Sequence, residues 1–323
     1  MRSLVTGGAG FIGSHLVDAL IEAGDEVLVL DDLSLGRREN LSGALDRGAE
    51  LKVADITDPR PVASGLADFL PDRIFHLAAQ IDVRRAVADP VFDARVNVLG
   101  TIHLLEAARR GGTPVVFAST GGAIYGEGSG RALPLDESAR CAPEAAYGMS
   151  KLGGEGYLDL YARMHGVPGV ALRLGNVYGP RQDPHGEAGV VAIFCGKLIA
   201  GGRPTVFGDG LQTRDYVYVS DVVAALVAAA EHLAAAGAST ARPFNIGTGR
   251  ETSVLELVER LAGQAGRNDF EPVHTPDRPG EVQRIALDSA EAARELGWRA
   301  ATELDAGLGA TLAAFRDRPA RAT

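Results

Sequence analysis

Residues 2–15 read RSLVTGGAGFIGSH, and this stretch decides the fold. Residues 2–6 form a short buried-strand pattern that ends on Gly7, Gly10 and Gly13, spaced Gly-x-x-Gly-x-x-Gly. A helical pattern follows from about Ser14 to Ala23, with Leu16, Leu20 and Ile21 at helical spacing and Gly24 as its stop. In a chain with 41 glycines such a triplet arises by chance about 0.6 times, so the spacing alone carries little. Its position carries more. Between a strand and a helix, backbone N–H groups and the helix dipole converge where a pyrophosphate can be received, and glycines leave room for that approach.

Working outward, EVLVLDD (26–32), LKVAD (51–55), RIFHLAA (73–79) and PVVFAST (114–120) continue a series of apolar strands. Helical stretches near 59–69 and 85–110 lie between them, and a long helix runs from Tyr147 to about His165. Alternating strand and helix with nearly continuous apolar strands predicts an α/β fold, a Rossmann-type doubly wound parallel sheet covered on both faces. GVALRLGNVYG (169–179) is a further strand with its exit loop. Beyond it, short strands near 205–207, 215–219 and 243–246 alternate with helices near 188–200, 221–236 and 252–265. The expected organisation is a dinucleotide domain over 1–175 and a smaller interleaved α/β lobe over 176–323, with segments near 215–246 returning to the first domain.

The composition excludes several classes. A net charge of −10 argues against a nucleic-acid surface and leaves no polybasic patch for a membrane. No run approaches the roughly 18 apolar residues of a membrane span. The first strand starts at Arg2, so no signal peptide is expected. Cys141 and Cys195 are the only cysteines, without CxxC or metal spacing; no metal is expected, and a reducing, cytoplasmic location is.

Asp31 ends the second strand eighteen residues after Gly13, where a carboxylate accepts from the adenosine ribose hydroxyls and repels a 2′-phosphate. NAD is the expected cofactor; Arg37 and Arg38 keep NADP as the minor reading. Lys151 is one of three lysines and stands four residues after Tyr147. Chance Tyr-x-x-x-Lys pairs should number about 0.07 per chain of this composition. On a helix the pair shares one face. A phenol beside an ammonium can form a phenolate near neutral pH, which points to acid–base chemistry on a hydroxyl.

These segments together resemble the extended short-chain dehydrogenase/reductase family, and within it the UDP-sugar 4-epimerases. The carriers are Thr6–His15, Asp31–Asn40, Asp55-Ile56, His76–Gln80, Ser119–Gly126, Tyr147–Lys151, Arg173–Gly179, Thr213–Asp221 and Arg278–Glu281, spread over essentially the whole chain. The resemblance implies that Phe11 and Ile12 lie at the pyrophosphate and that Asp31, Asp32, Ser34 and Gly36 surround the adenosine ribose. Asp55 and Ile56 would flank the adenine, while Leu77, Ala78, Ala79, Gln80 and Asn97 would line the cofactor's middle. Tyr147 would take the proton of the sugar's 4-hydroxyl as hydride leaves C4 for NAD, with Lys151 pinning the nicotinamide ribose. The triad hydroxyl is assigned to Thr120, and Ser119 to cofactor or structure. Asn176 would hold the diphosphate, Phe207 would pack on the uracil, Arg214 and Arg278 would clamp the phosphates, and Glu281 would accept from the uridine ribose. A homodimer through helices near 90–110 and 145–165 is also implied.

Related 4,6-dehydratases carry Asp-Glu after the Thr, and the related decarboxylases tend to have a carboxylate nearby. Here those places are Gly121 and Gly122, which cannot transfer protons. The expected reaction is therefore inversion at C4 of UDP-glucose/UDP-galactose. UDP-glucuronate and UDP-N-acetylglucosamine 4-epimerases are the alternatives; a nucleotide-sugar reductase and a non-catalytic NAD-sensing scaffold are weaker. Ile285 occupies the place where relatives exclude N-acetyl groups, and Arg84, Arg85, Arg181 and His185 are candidates to meet a glucuronate carboxylate.

Overall fold

The computed structural model describes residues 1–128, 130–184, 189–236, 241–267, 269–277 and 282–317. Seven strands form the central sheet: β1 (Arg2–Thr6), β2 (Glu26–Asp31), β3 (Glu50–Val53), β4 (Arg73–His76), β5 (Val115–Thr120), β6 (Gly169–Leu174) and β7 (Arg242–Ile246). Their order is β7-β6-β5-β4-β1-β2-β3 and every neighbouring pair is parallel. The chain winds outward one way from β1 to β3 and the other way from β4 to β7. Between β1 and β4 a crevice opens at the carboxyl ends of the strands.

The apolar runs are continuous because the strands are buried on both faces, each residue in turn feeding a different core. Leu4, Leu28, Leu30, Ile74, Val115 and Phe117 join one core. Their neighbours Val5, Val27, Val29, Phe75, Val116 and Ala118 join the other. The first core is closed by α2 (Pro59–Phe69), α5 (Gly100–Gly111) and α6 (Ala146–His165), through residues such as Leu66, Leu104, Leu105 and Leu158. The second is closed by α1 (Phe11–Glu22) and α7 (Val219–Ala236), through Leu16, Val17, Leu226 and Ala229.

The stretch expected as one helix near 85–110 is divided. Asp82 caps α3 (Val83–Ala88) by accepting from the N–H groups of Arg84 and Arg85, and Pro90 opens α4 (Pro90–Ala94) with Asp89 accepting from Phe92 N–H. Proline lacks the N–H that would continue the earlier helix, so a new one starts there. A π turn over Arg95–Leu99 then joins α4 to α5. In the stretch read as a strand and its exit loop over 169–179, the part after Gly175 is itself a strand: Asn176–Tyr178 leaves the main sheet and pairs with Tyr216–Tyr218. A Cβ on Gly175 would meet the Asp215 carbonyl at 2.8 Å, so the crossing requires glycine.

A separate core of Phe194, Leu198, Val206, Tyr216, Leu257, Leu261, Leu308 and Leu312 lies in the later part of the chain, between the helices Val190–Ile199, Val254–Ala265 and Leu304–Arg316. Between these pieces, α7 and β7 return to the first sheet. Among the described residues no helix is long and apolar enough to cross a membrane.

Candidate dinucleotide and sugar site

At the end of β1 the chain turns through Gly7 at φ +71°, where an added Cβ would lie 2.6 Å from Ala78 N. A Cβ on Gly13 would lie 2.2 Å from the Gly7 carbonyl oxygen. Gly10 caps α1 without a side-chain hydrogen bond, leaving the first N–H groups of that helix for a ligand. The Asp31 carboxylate faces the loop, accepting from Ala9 N–H at 2.9 Å and Leu33 N–H at 2.8 Å. Burial raises its pKa despite these two bonds. Each oxygen keeps a lone pair for a ribose hydroxyl. Gly36 keeps that side open, since a Cβ there would sit 2.6 Å from Asp31 Oδ1. Asp32 accepts from both N–H and hydroxyl of Ser34. Asp55 accepts from Thr57 N–H, and Ile56 is buried beneath Gly100. Arg37 pairs with Asp183 at 3.3 Å instead of turning toward Asp31. A glycine cradle, an open helix N-terminus and a buried carboxylate fit a dinucleotide lacking a 2′-phosphate.

The next wall is Leu77–Gln80, held by an unbroken hydrogen-bond chain. Thr101 Oγ1 donates to the Asn97 carbonyl at 2.7 Å, so it must accept from His76 Nε2, 3.0 Å away. His76 Nδ1 then accepts from Thr6 Oγ1 at 2.7 Å, and Thr6 Oγ1 accepts from Ala78 N–H at 3.2 Å. The directions assign the Nε2–H tautomer to His76. Burial pushes its pKa down to about 3, so the imidazole is neutral. Asn97 clamps the main chain of Gln80 on both sides: Gln80 N–H donates to Oδ1 at 2.9 Å and Nδ2 donates to the Gln80 carbonyl at 3.0 Å. The amide of Asn97 therefore holds this wall in place.

Beside that wall, β5 delivers two hydroxyls with different partners. Ser119 Oγ donates to Glu155 at 2.5 Å, and Glu155 pairs with Arg173 at 2.7 Å in the core. Thr120 stands close enough to Tyr147, on the first turn of α6, to lower its pKa. Lys151, one turn on, is buried with its Nζ 4.3 Å from the centre of the Phe117 ring. Burial lowers its pKa to about 8, against the pull of Glu155 and Asp93. Tyr147 moves the other way from the expected phenolate. Burial chiefly, and the charge of Asp93, push it up to about 12, with only Thr120 opposing. Reaching a phenolate at pH 7 would take about 7 kcal/mol. Without further positive charge the residue is a phenol.

At the sugar end, an added Cβ on Gly122 would lie 3.2 Å from Asn176 Oδ1 and 4.0 Å from Thr120 Oγ1, so Gly122 faces the space between those two groups. Gly121 is filled from behind, since a Cβ there would meet Leu287 at 2.4 Å. Phe207 ends a strand paired with Val273–Thr275, and Arg214 Nη1 donates to the Thr213 carbonyl. Both are half-buried. Arg278, Glu281 and His185 lie outside the described residues. Arg181 is paired with Asp18 at 2.7 Å, and Arg85 lies over the Phe92 ring at 3.8 Å. Ile285 is 1% exposed and packs with Ile124, Tyr125, Leu135 and Leu287.

Sequence reasoning did not select Asp93, Ser150 or Glu155. Each stands on a helix at a multiple of four from a residue it serves or next to one, but their partners come from other elements. Residues 3–247 match the model of the NAD dependent epimerase/dehydratase family. The chain belongs to that family. A UDP-glucose 4-epimerase of Mycolicibacterium smegmatis is 48% identical over 98% of this chain and 99% of its own. A Thermotoga maritima UDP-glucose 4-epimerase, solved with UDP-glucose, superposes with a TM-score of 0.91 at 45% identity, covering 98% of this chain and 99% of that one. A Thermus thermophilus UDP-glucose 4-epimerase, solved with NAD, gives 0.88 at 42% identity, with coverage of 98% and 99%. In this epimerase/dehydratase the glycine cradle and Thr120 stand at the carboxyl ends of β1 and β5, with the Tyr147/Lys151 helix packed beside β5.

Proposed function

We propose that the protein is an NAD-dependent UDP-hexose 4-epimerase acting on UDP-glucose and UDP-galactose. The observation that carries this is the grouping of Thr120, Tyr147 and Lys151 beside a dinucleotide cradle, with glycine at 121 and 122 where a dehydratase needs an acid and a base. Bound NAD supplies the acceptor and later the donor of the C4 hydride. Tyr147 takes the 4-hydroxyl proton and returns it after the 4-keto sugar has turned over. Thr120 bonds the phenol oxygen and orients the hydroxyl. Lys151, an ammonium at neutral pH, holds the nicotinamide ribose. Gly122 leaves space beside Asn176 for the sugar to turn.

Asn176, Phe207, Arg214, Arg278 and Glu281 are proposed to hold the nucleotide diphosphate. The glucuronate reading gains no support from Arg181 and Arg85, which are engaged elsewhere. Purified protein incubated without added NAD should convert UDP-glucose to its 4-epimer, seen as a new anomeric proton signal in NMR. Conversion of neither UDP-glucose nor UDP-galactose would end this reading.

A homodimer in the cytoplasm is part of the proposal. Val83, Val87, Val91, Leu99, Met149 and Met164 are all exposed by 42% or more on the neighbouring helical segments that would meet a second copy. Light scattering should give twice the chain mass. Both cysteines are free, as a reducing compartment requires.

A further inference from the structure

Asp215 stands next to Arg214 in the Thr213–Asp221 segment and is 1% exposed. Four neutral donors converge on its carboxylate. Oδ1 accepts from Thr248 N–H at 2.8 Å and from Thr248 Oγ1 at 2.6 Å. Oδ2 accepts from Gly249 N–H at 2.9 Å and from Leu287 N–H at 3.1 Å. Only an acceptor-only group satisfies this set, since an amide in its place turns an N–H toward two other donors. The carboxylate thus ties two distant stretches of chain, 248–249 and 287, to the segment that carries Arg214. Glycines make room for it. An added Cβ on Gly247 would lie 2.5 Å from Oδ2, and the one on Gly175 would meet the Asp215 carbonyl.

This knot stands directly behind the proposed sugar and diphosphate site. The Asp215 carbonyl accepts from Asn176 N–H at 2.7 Å, just where the strand Asn176–Tyr178 begins to pair with Tyr216–Tyr218. Asn176 in turn presents its Oδ1 to the space in front of Gly122. On the other side Leu287, held through its N–H, lays its side chain against Gly121, the residue after Thr120. One buried side chain therefore fixes the strand that carries Asn176 and the leucine that backs Gly121. We propose that Asp215 is a positioning residue of the nucleotide-sugar site, resting on the reading above: its hydrogen bonds hold Asn176, with Arg214 beside it, where the substrate's diphosphate binds. A purely structural knot would lower the unfolding temperature and leave ligand affinity alone, so the two must be read together.

The test is calorimetric titration of UDP into the NAD-loaded protein, beside thermal unfolding of the same samples. Asp215→Asn should weaken UDP binding about tenfold, the scale of one lost hydrogen bond to a charged group, with bound NAD unchanged. Thr248→Val deletes the hydroxyl donor alone and serves if the Asn variant does not fold. It should weaken UDP several-fold, and Thr248→Ser, which returns the hydroxyl, should restore the affinity. The route through the strand is checked in Asn176→Ala, where adding Thr248→Val should cost no further UDP affinity. Unchanged UDP affinity with a lowered unfolding temperature would reduce Asp215 to a structural knot and overturn the proposal. So would losses from Asn176→Ala and Thr248→Val that simply add. Wild-type protein that binds UDP but epimerises nothing would defeat the 4-epimerase reading, while the affinity pattern still decides the role of Asp215. Wild-type protein that binds no UDP would overturn both.

Discussion

Tyr147→Phe should lower kcat roughly 10³-fold, within the range spanned by removal of a positioned acid–base group, while NAD and UDP-glucose still bind. The variant keeps the ring and deletes only the hydroxyl beside Thr120. With a pKa of about 12 before cofactor arrives, this oxygen cannot act as a preformed base. On the proposed mechanism, the positive charge of bound oxidised nicotinamide would lower the cost of losing the Tyr147 proton. The same high value suits the return step, in which the residue must give the proton back. Stopped single-turnover rates, with bound NAD measured by its absorbance, check the expectation. Wild-type turnover in the variant would remove Tyr147 from the chemistry.

The second large effect is on stability. Glu155 and Arg173 are buried partners at 2.7 Å, and Glu155 also accepts from Ser119. Arg173 continues to the Tyr125 hydroxyl at 2.9 Å, which donates to Asn245 Oδ1 at 2.8 Å, so the pair joins α6, β5, β6 and β7. Glu155→Met strands a guanidinium that burial cannot neutralise and should cost about 3–5 kcal/mol of unfolding free energy. Converting both residues to Met removes both charges and should recover most of that loss. Urea unfolding of the two single variants and the double variant checks this. A double variant as unstable as Glu155→Met would show that the shape of the network, not its charge balance, holds the strands together.

The fold was legible in the sequence where the physics is local. The strand–glycine–helix order at 2–22 fixes the cradle, and continuous apolar strands require cover on both faces. The Tyr147/Lys151 spacing places two groups on one helix face without reference to the rest of the molecule. What could not be read depends on elements meeting across the fold. Ser119 and Thr120 are adjacent hydroxyls in sequence, and only the approach of α6 gives one to Glu155 and the other to Tyr147. Nor does the sequence distance of Ile285 from Arg278 show that it joins the cluster of Ile124, Tyr125, Leu135 and Leu287. The direction of the Tyr147 shift also escaped, because i, i+4 spacing shows the lysine but neither the burial of the phenol nor the carboxylate one helix away.

The π turn at Arg95–Leu99 acts as a phase corrector. An α-helix advances about 100° per residue, so positions repeated every fourth residue drift by about 120° over three steps. Asp93, Asn97, Thr101 and Leu105 are such positions, yet all four are buried on the side facing the sheet and the wall. The wide turn slows the rotation between them and keeps the row straight. The segment is consequently one in which length itself carries information. Most surface loops absorb a gained or lost residue, but here a change of one would turn Asp93 out of line with the leucines that anchor α5.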